Sequence, residues 1–125
     1  MLHTNILSVY DFGEQDGYLY MVMAYISGGT LADKMQEPMD VPTAIAIVKG
    51  IATGLQHAHA NGVVHRDLKP ANIFMGGEEY PLIGDFGIAR LIAESNLTIS
   101  GTAIGTPRYM SPEQALGNAV DGRSD

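Results

Sequence analysis

His65-Arg66-Asp67-Leu68-Lys69-Pro70-Ala71-Asn72 and, farther on, Asp85-Phe86-Gly87 place three hard-oxygen side chains, Asp67, Asn72 and Asp85, on loops beside short apolar runs. Asp and Asn oxygens suit Mg²⁺, which takes a few protein ligands and completes its shell with phosphate oxygens and water. A carboxylate such as Asp67 can also orient an attacking hydroxyl and accept its proton, assistance worth roughly 10²–10⁴-fold. Lys69, two residues on, can neutralise charge that develops on a transferring phosphoryl group. Singly these residues say little, because an isolated Asp on a loop is most often a turn residue. Their order and spacing carry the weight.

The flanking sequence supplies elements that would hold such loops. Val63-Val64, Ile73-Phe74-Met75 and Leu82-Ile83 are too short for helices and read as small strands between polar loops. Upstream, Pro42 suits a first helical turn. Ile45, Val48, Ile51, Ala52 and Leu55 then recur at helical spacing as one apolar stripe, and Asn61-Gly62 supplies the stop. Ile6 to Phe12 and Tyr18 to Tyr25 read as two strands joined by a long turn over Gly13-Glu14-Gln15-Asp16-Gly17. Gly28-Gly29 breaks this pattern, and Thr30 can cap a short helix to about Lys34 with Asp33 in its first turn. The Gly-, Ser- and Thr-rich run from Ile88 to Arg108 reads as a long loop of the kind that serves function. Ser111 to Leu116, ending at Gly117, forms a short closing helix.

Composition narrows the class. The 125 residues suffice for one modest domain, and 46% hydrophobic against 17% charged residues argues for a folded chain. A formal net charge of -7 leaves no electrostatic footprint for nucleic acid and would be repelled by anionic membrane surfaces. There is no cysteine, hence no disulfide or thiolate metal site. No signal peptide opens the chain and no apolar run reaches the roughly 18 residues of a membrane span, so the expectation is a soluble cytoplasmic domain. His57 and His59 sit two apart on a helix, face different ways and make no metal pair. Most of the methionines read as packing, Glu78-Glu79 as a solvated turn.

Taken together, His65-Arg66-Asp67-Leu68-x-x-x-Asn72, then Asp85-Phe86-Gly87, then Gly105-Thr106-Pro107 and Ser111-Pro112-Glu113, resemble the signature set of the serine/threonine protein kinases, most closely the bacterial eukaryotic-like (Hanks-type) branch. The resemblance runs over essentially the whole chain. It implies an α+β, protein-kinase-like two-lobe fold, incomplete here: residues 1–25 the end of the small lobe, 26–29 the hinge, 30–125 the upper large lobe. It implies transfer of the γ-phosphate of ATP to Ser/Thr hydroxyls of protein substrates, with Mg²⁺. Asp67 would be the base, Lys69 the contact to the γ-phosphate, and Asn72 and Asp85 the metal ligands. Met23 would stand behind adenine, Ala24 and Ile26 would offer backbone groups to its edge, and Phe74 would lie beneath the ring. Thr106 would tie the substrate-binding segment to Asp67 and Lys69, which with Lys69-Pro70 favours Ser/Thr over Tyr acceptors. Arg66 would pair with a phosphate on the activation loop, for which Thr98, Ser100 and Thr102 are candidate acceptors. His65 would pack near Phe86, and Asp125 would brace the catalytic loop.

The family's Gly-rich loop, its third-strand Lys, its helix-C Glu and the Arg that partners Glu113 are not in these residues. The expectation is therefore that this polypeptide alone has little kinase activity and exposes apolar surface, that the activity belongs to a larger parent, and that the parent can be membrane-anchored elsewhere. The alternative is a truncated, non-catalytic kinase-like binding module.

Overall fold

Helix α2 organises the architecture, and the face it buries is set by its smallest residues. In the computed structural model, which describes residues 2–86 and 107–125, the chain order is β1 (Val9–Gln15), β2 (Tyr18–Met23), α1 (Leu31–Lys34), α2 (Val41–Ala60), β3 (Ile73–Met75), β4 (Pro81–Ile83) and α3 (Pro112–Ala115). Asp40 caps α2 by accepting the Thr43 N–H at 2.7 Å, Pro42 lies in its first turn, and Gly62, at φ 73°, follows the Asn61 cap.

The predicted stripe coincides with the buried face only at Ile51 and Leu55. Ile45 is 49% and Val48 63% exposed, and Ala52 is exposed too, whereas Ile47, Gly54 and Ala58 are buried with Ile51 and Leu55 partly so. The reason is close approach. A Cβ on Gly54 would come within 2.8 Å of Ile83 Cδ1 and 3.0 Å of the Asn5 carbonyl oxygen, and one on Gly50 within 2.6 Å of Pro81 Cγ. Ile47, Ile51, Gly54 and Ala58 share one helical face, and the glycines on that side let it settle onto the edge made by Asn5 and β4. The core that results is Ile47, Ile73, Met75 and Ile83, with Ile51, Leu55, Leu68 and Phe86 packed against it.

β3 and β4 pair antiparallel as expected, Phe74 opposite Leu82. A third segment joins them: Ile83 donates to the Asn5 carbonyl at 2.9 Å and Leu7 donates to the Ile83 carbonyl at 2.9 Å. Ile6 and Leu7, each 5% exposed, therefore belong to the core, and the β1–β2 hairpin begins only at Val9, not at Ile6. Its turn is also shorter than predicted. The ladder continues through Gly13 and Glu14 to the pair Gln15–Tyr18, leaving Asp16 and Gly17, at φ 54° and 80°, as a two-residue connection. Asp-Gly with both φ positive matches the right-handed twist of a hairpin better than a long loop. Val63 and Val64 form no strand, because the Val63 N–H is taken by the Ala58 carbonyl at the end of α2.

Both short helices are held by reciprocal caps, Thr30 with Asp33 on α1 and Ser111 with Gln114 on α3. Arg108, expected in a loop, lies in a 3-10 turn over Pro107–Tyr109. Among the described residues no helix is long and apolar enough to cross a membrane.

The rotated face of α2 is directly testable. Gly54→Val should destabilise the protein by about 1–3 kcal/mol, the usual cost of overpacking. Val48→Ala on the solvent side should stay within about 0.5 kcal/mol of wild type. Urea unfolding of the two variants separates these outcomes.

Candidate active site

The loop after α2 carries Asp67 through an unusual backbone path. Arg66 stands at φ 70° and Asp85, on the neighbouring loop after β4, at φ 59°. Both are left-handed positions that cost a non-glycine residue free energy and persist only where surroundings enforce them. Asp125 supplies part of that enforcement. Its carboxylate, 1% exposed, accepts from the His65 N–H, the Arg66 N–H and His59 Nε2, each at 2.8 Å.

His65, 1% exposed, ties the two loops together. The Asp67 N–H can only donate, so His65 Nδ1 at 3.2 Å is the acceptor. The ring proton then sits on Nε2 and donates to the Gly84 carbonyl at 2.8 Å. The ring also meets Phe86 edge-on, centroids 4.7 Å apart. His65 is thus a packing residue, as expected, and a polar bridge as well.

Asp67 is the hub of the polar cluster. Its Oδ2 accepts from Lys69 Nζ at 2.7 Å and from Asn72 Nδ2 at 3.1 Å, and Asn72 Nδ2 also reaches the Asp67 carbonyl at 2.8 Å. With its amide nitrogen turned to Asp67, Asn72 keeps its side-chain oxygen as the available acceptor. Asn72 is buried at 7% exposure, and its carbonyl receives the Gly84 N–H at 2.9 Å, which anchors the approach to Asp85. Burial pushes the Asp85 carboxyl above its ordinary value near 3.8; Asp67 pushes it further up, and His65 and Lys69 pull against the rise. Asp67 and Asp85 thus lie close enough to repel one another, with Asn72 hydrogen-bonded to Asp67. That donor set fits Mg²⁺. Among the described residues no three His, Cys, Asp or Glu side chains converge as a metal cage.

Met23 faces the same region. With Leu7, Val9, Met21, Asp85 and Phe86 among its neighbours it lines a cavity of about 300 Å³ that opens beside Asp85. Ala24 and Ile26 are half-buried while Tyr25 between them is 91% exposed. The Ala24 N–H is taken by the Ser8 carbonyl at 3.2 Å, so its carbonyl is the group left for a ligand. Phe74 is not a wall of this cavity. Its ring covers Gly84, where a Cβ would come within 2.5 Å of Phe74 Cε2. Thr98, Ser100, Thr102 and Thr106 lie outside the described residues. His57 stacks on His3 at 4.8 Å and His59 turns to Asp125, so the two helix histidines do separate. Sequence reasoning missed His59 and the Gly84 carbonyl as partners of the loop, since neither residue type marks its role without the fold.

A protein kinase domain family model matches residues 1–125. The chain is 46% identical over 130 residues to the serine/threonine-protein kinase PknB of Mycobacterium leprae, covering 98% of this chain and 21% of that protein. It is 42% identical over 123 residues to PknD of Mycobacterium tuberculosis, covering 97% of this chain and 18% of the relative. It is 40% identical over 128 residues to Pkn1 of Myxococcus xanthus, covering 98% and 18%. The α+β architecture is consistent with an incomplete protein-kinase fold, and this chain belongs to the serine/threonine protein kinases of the bacterial eukaryotic-like branch. It spans about a fifth of the length of the curated relatives it matches.

The strain on Asp85 has a measurable sign. Its raised value in the folded protein favours folding fully below about pH 3.8, and that contribution is lost as pH rises through the folded-state value. Asp85→Asn removes the penalty. The variant should melt above wild type at pH 7, by no more than about 4 °C, the shift that about 1 kcal/mol gives a domain of this size. The difference should shrink toward pH 4, as followed by thermal melts without divalent cations.

Proposed function

We propose that the protein containing this chain transfers the γ-phosphate of ATP to serine and threonine hydroxyls of protein substrates, with Mg²⁺. The observation that carries the proposal is the Asp67 carboxylate, gripped by Lys69 and Asn72 at 2.7 and 3.1 Å beside Asp85. Asp67 orients the substrate hydroxyl and accepts its proton as the oxygen–phosphorus bond forms and the bond to the departing diphosphate breaks. Lys69, now bonded to Asp67, has its ammonium within reach of the same oxygen, where it offsets negative charge on the phosphoryl group. The Asn72 side-chain oxygen and the Asp85 carboxylate hold Mg²⁺, which when bound neutralises phosphate oxygens.

In this reading residues 1–25 close the small lobe, 26–29 form the hinge and 30–125 belong to the large lobe. Met23 backs the adenine pocket, and Ala24 and Ile26 present backbone groups to the base; Phe74, which does not line the cavity beside Met23, acts beneath the base only through its packing on Gly84. Thr106 aligns the acceptor segment. Arg66 pairs with a phosphate carried on Thr98, Ser100 or Thr102, and the work is done in the cytoplasm on proteins rather than nucleic acid. The -7 charge supports proteins over nucleic acid as substrates.

The test is transfer of labelled phosphate from ATP–Mg²⁺ to a protein Ser/Thr acceptor by the full-length protein. Asp67→Asn should lower kcat by about 10²–10⁴-fold. Near-normal rates in that variant would remove Asp67 as the base.

A further inference from the structure

The two peptide groups that flank the Arg66 Cα are held from different parts of the chain. The Arg66 N–H goes to Asp125 at 2.8 Å, and its carbonyl accepts from Gln114 Nε2 at 2.5 Å, across 48 residues of sequence. Gln114 is fully committed in this position. Its side-chain oxygen accepts the Ser111 N–H at 3.0 Å, and its own N–H donates to Ser111 Oγ at 3.3 Å, completing the cap that starts α3. One amide therefore closes the cap with its oxygen and reaches the catalytic loop with its nitrogen. Glutamine alone can do both: glutamate lacks the donor, and methionine of similar length lacks both groups. Arg66 sits at φ 70° immediately before Asp67, so a carbonyl left free to swing would turn the next peptide and move the carboxylate.

We propose that Gln114 is a positioning residue for Asp67. It fixes the Arg66 peptide in its left-handed conformation and couples the seating of α3 to the direction of the Asp67 side chain. The proposal rests on the phosphoryl-transfer reading above. Asp125 holds the preceding peptide through the Arg66 N–H, so loss of Gln114 loosens the loop rather than dismantling it. The effect falls on the geometry of the chemical step, with binding of ATP little changed.

The experiment compares three variants of the full-length protein, measuring kcat, KM for ATP and Tm. Gln114→Glu keeps the acceptor for Ser111 and removes the donor to Arg66; kcat should fall about 3- to 10-fold, the loss of one hydrogen bond's net worth. KM for ATP should stay within about twofold and Tm nearly unchanged. Ser111→Ala breaks the cap of α3 while leaving the Gln114–Arg66 contact, and should lower Tm with kcat nearly intact. Gln114 loses its role if Gln114→Glu keeps wild-type kcat, or if Ser111→Ala reproduces the same loss of kcat, which would make the effect one of helix stability. Asp67→Asn serves as the third variant. If it retains activity, Asp67 is not the base and the role of Gln114 falls with it; if wild type itself transfers no phosphate, the phosphoryl-transfer reading falls; if Asp67→Asn is inert while Gln114→Glu is normal, only the role of Gln114 is lost.

Discussion

Three N–H donors converge on the buried Asp125 carboxylate, and the conformation of the loop before Asp67 depends on that convergence. Two of the donors are consecutive backbone amides, from His65 and Arg66, which no regular ladder could satisfy where the chain turns left-handed at Arg66. A carboxylate can accept from both at once, one oxygen to each, and still receive the imidazole of His59 from the end of α2. Buried amides without partners would each cost about 1–3 kcal/mol. Their satisfaction by one rigid acceptor is what makes a strained backbone tolerable there. With the His65 and Arg66 peptides set, the Asp67 carboxylate points back to Lys69 and Asn72, and the rest of the site is built on that direction.

The same region shows where the protein is not optimised for stability. Asp85 is partly buried beside another carboxylate, an arrangement that raises its pKa. A core built only for folding would place an amide or an apolar group there. Under the proposed function the arrangement would have a use, because a divalent cation held there would relieve both the burial of Asp85 and its repulsion from Asp67.

How much of this was legible before the fold was known differs from element to element. The catalytic loop, β3, β4 and the capped helices were readable because their signals are local. Thr30 with Asp33, the run from Ser111 to Leu116 stopped by Gly117, and Asp-Phe-Gly after a short apolar strand need no knowledge of distant residues. The face of α2 was misread because its burial is decided by Gly50, Gly54 and Ala58, and a pattern of large apolar residues is blind to positions where the contact is made by having no side chain. The first strand was misplaced for a related reason. Ile6 and Leu7 share the apolar character of the hairpin strand after them, yet Asn5 and Leu7 bond to Ile83, far along the chain, so the break at Ser8 has no local mark. The contributions of His59, Gly84 and Gln114 to the site were equally hidden, since each acts through contacts to residues far away in the sequence.

His65 has a mechanical consequence. Its imidazole joins the Asp67 amide to the Gly84 carbonyl through two hydrogen bonds on opposite edges of one inflexible ring, with Phe86 against it. The span between the loops is therefore set by the width of an aromatic ring, and aromatic rings do not stretch. The loops of Asp67 and Asp85 cannot shift independently along that line. They behave as two ends of one strut, and a motion imposed on either arrives at the other without slack.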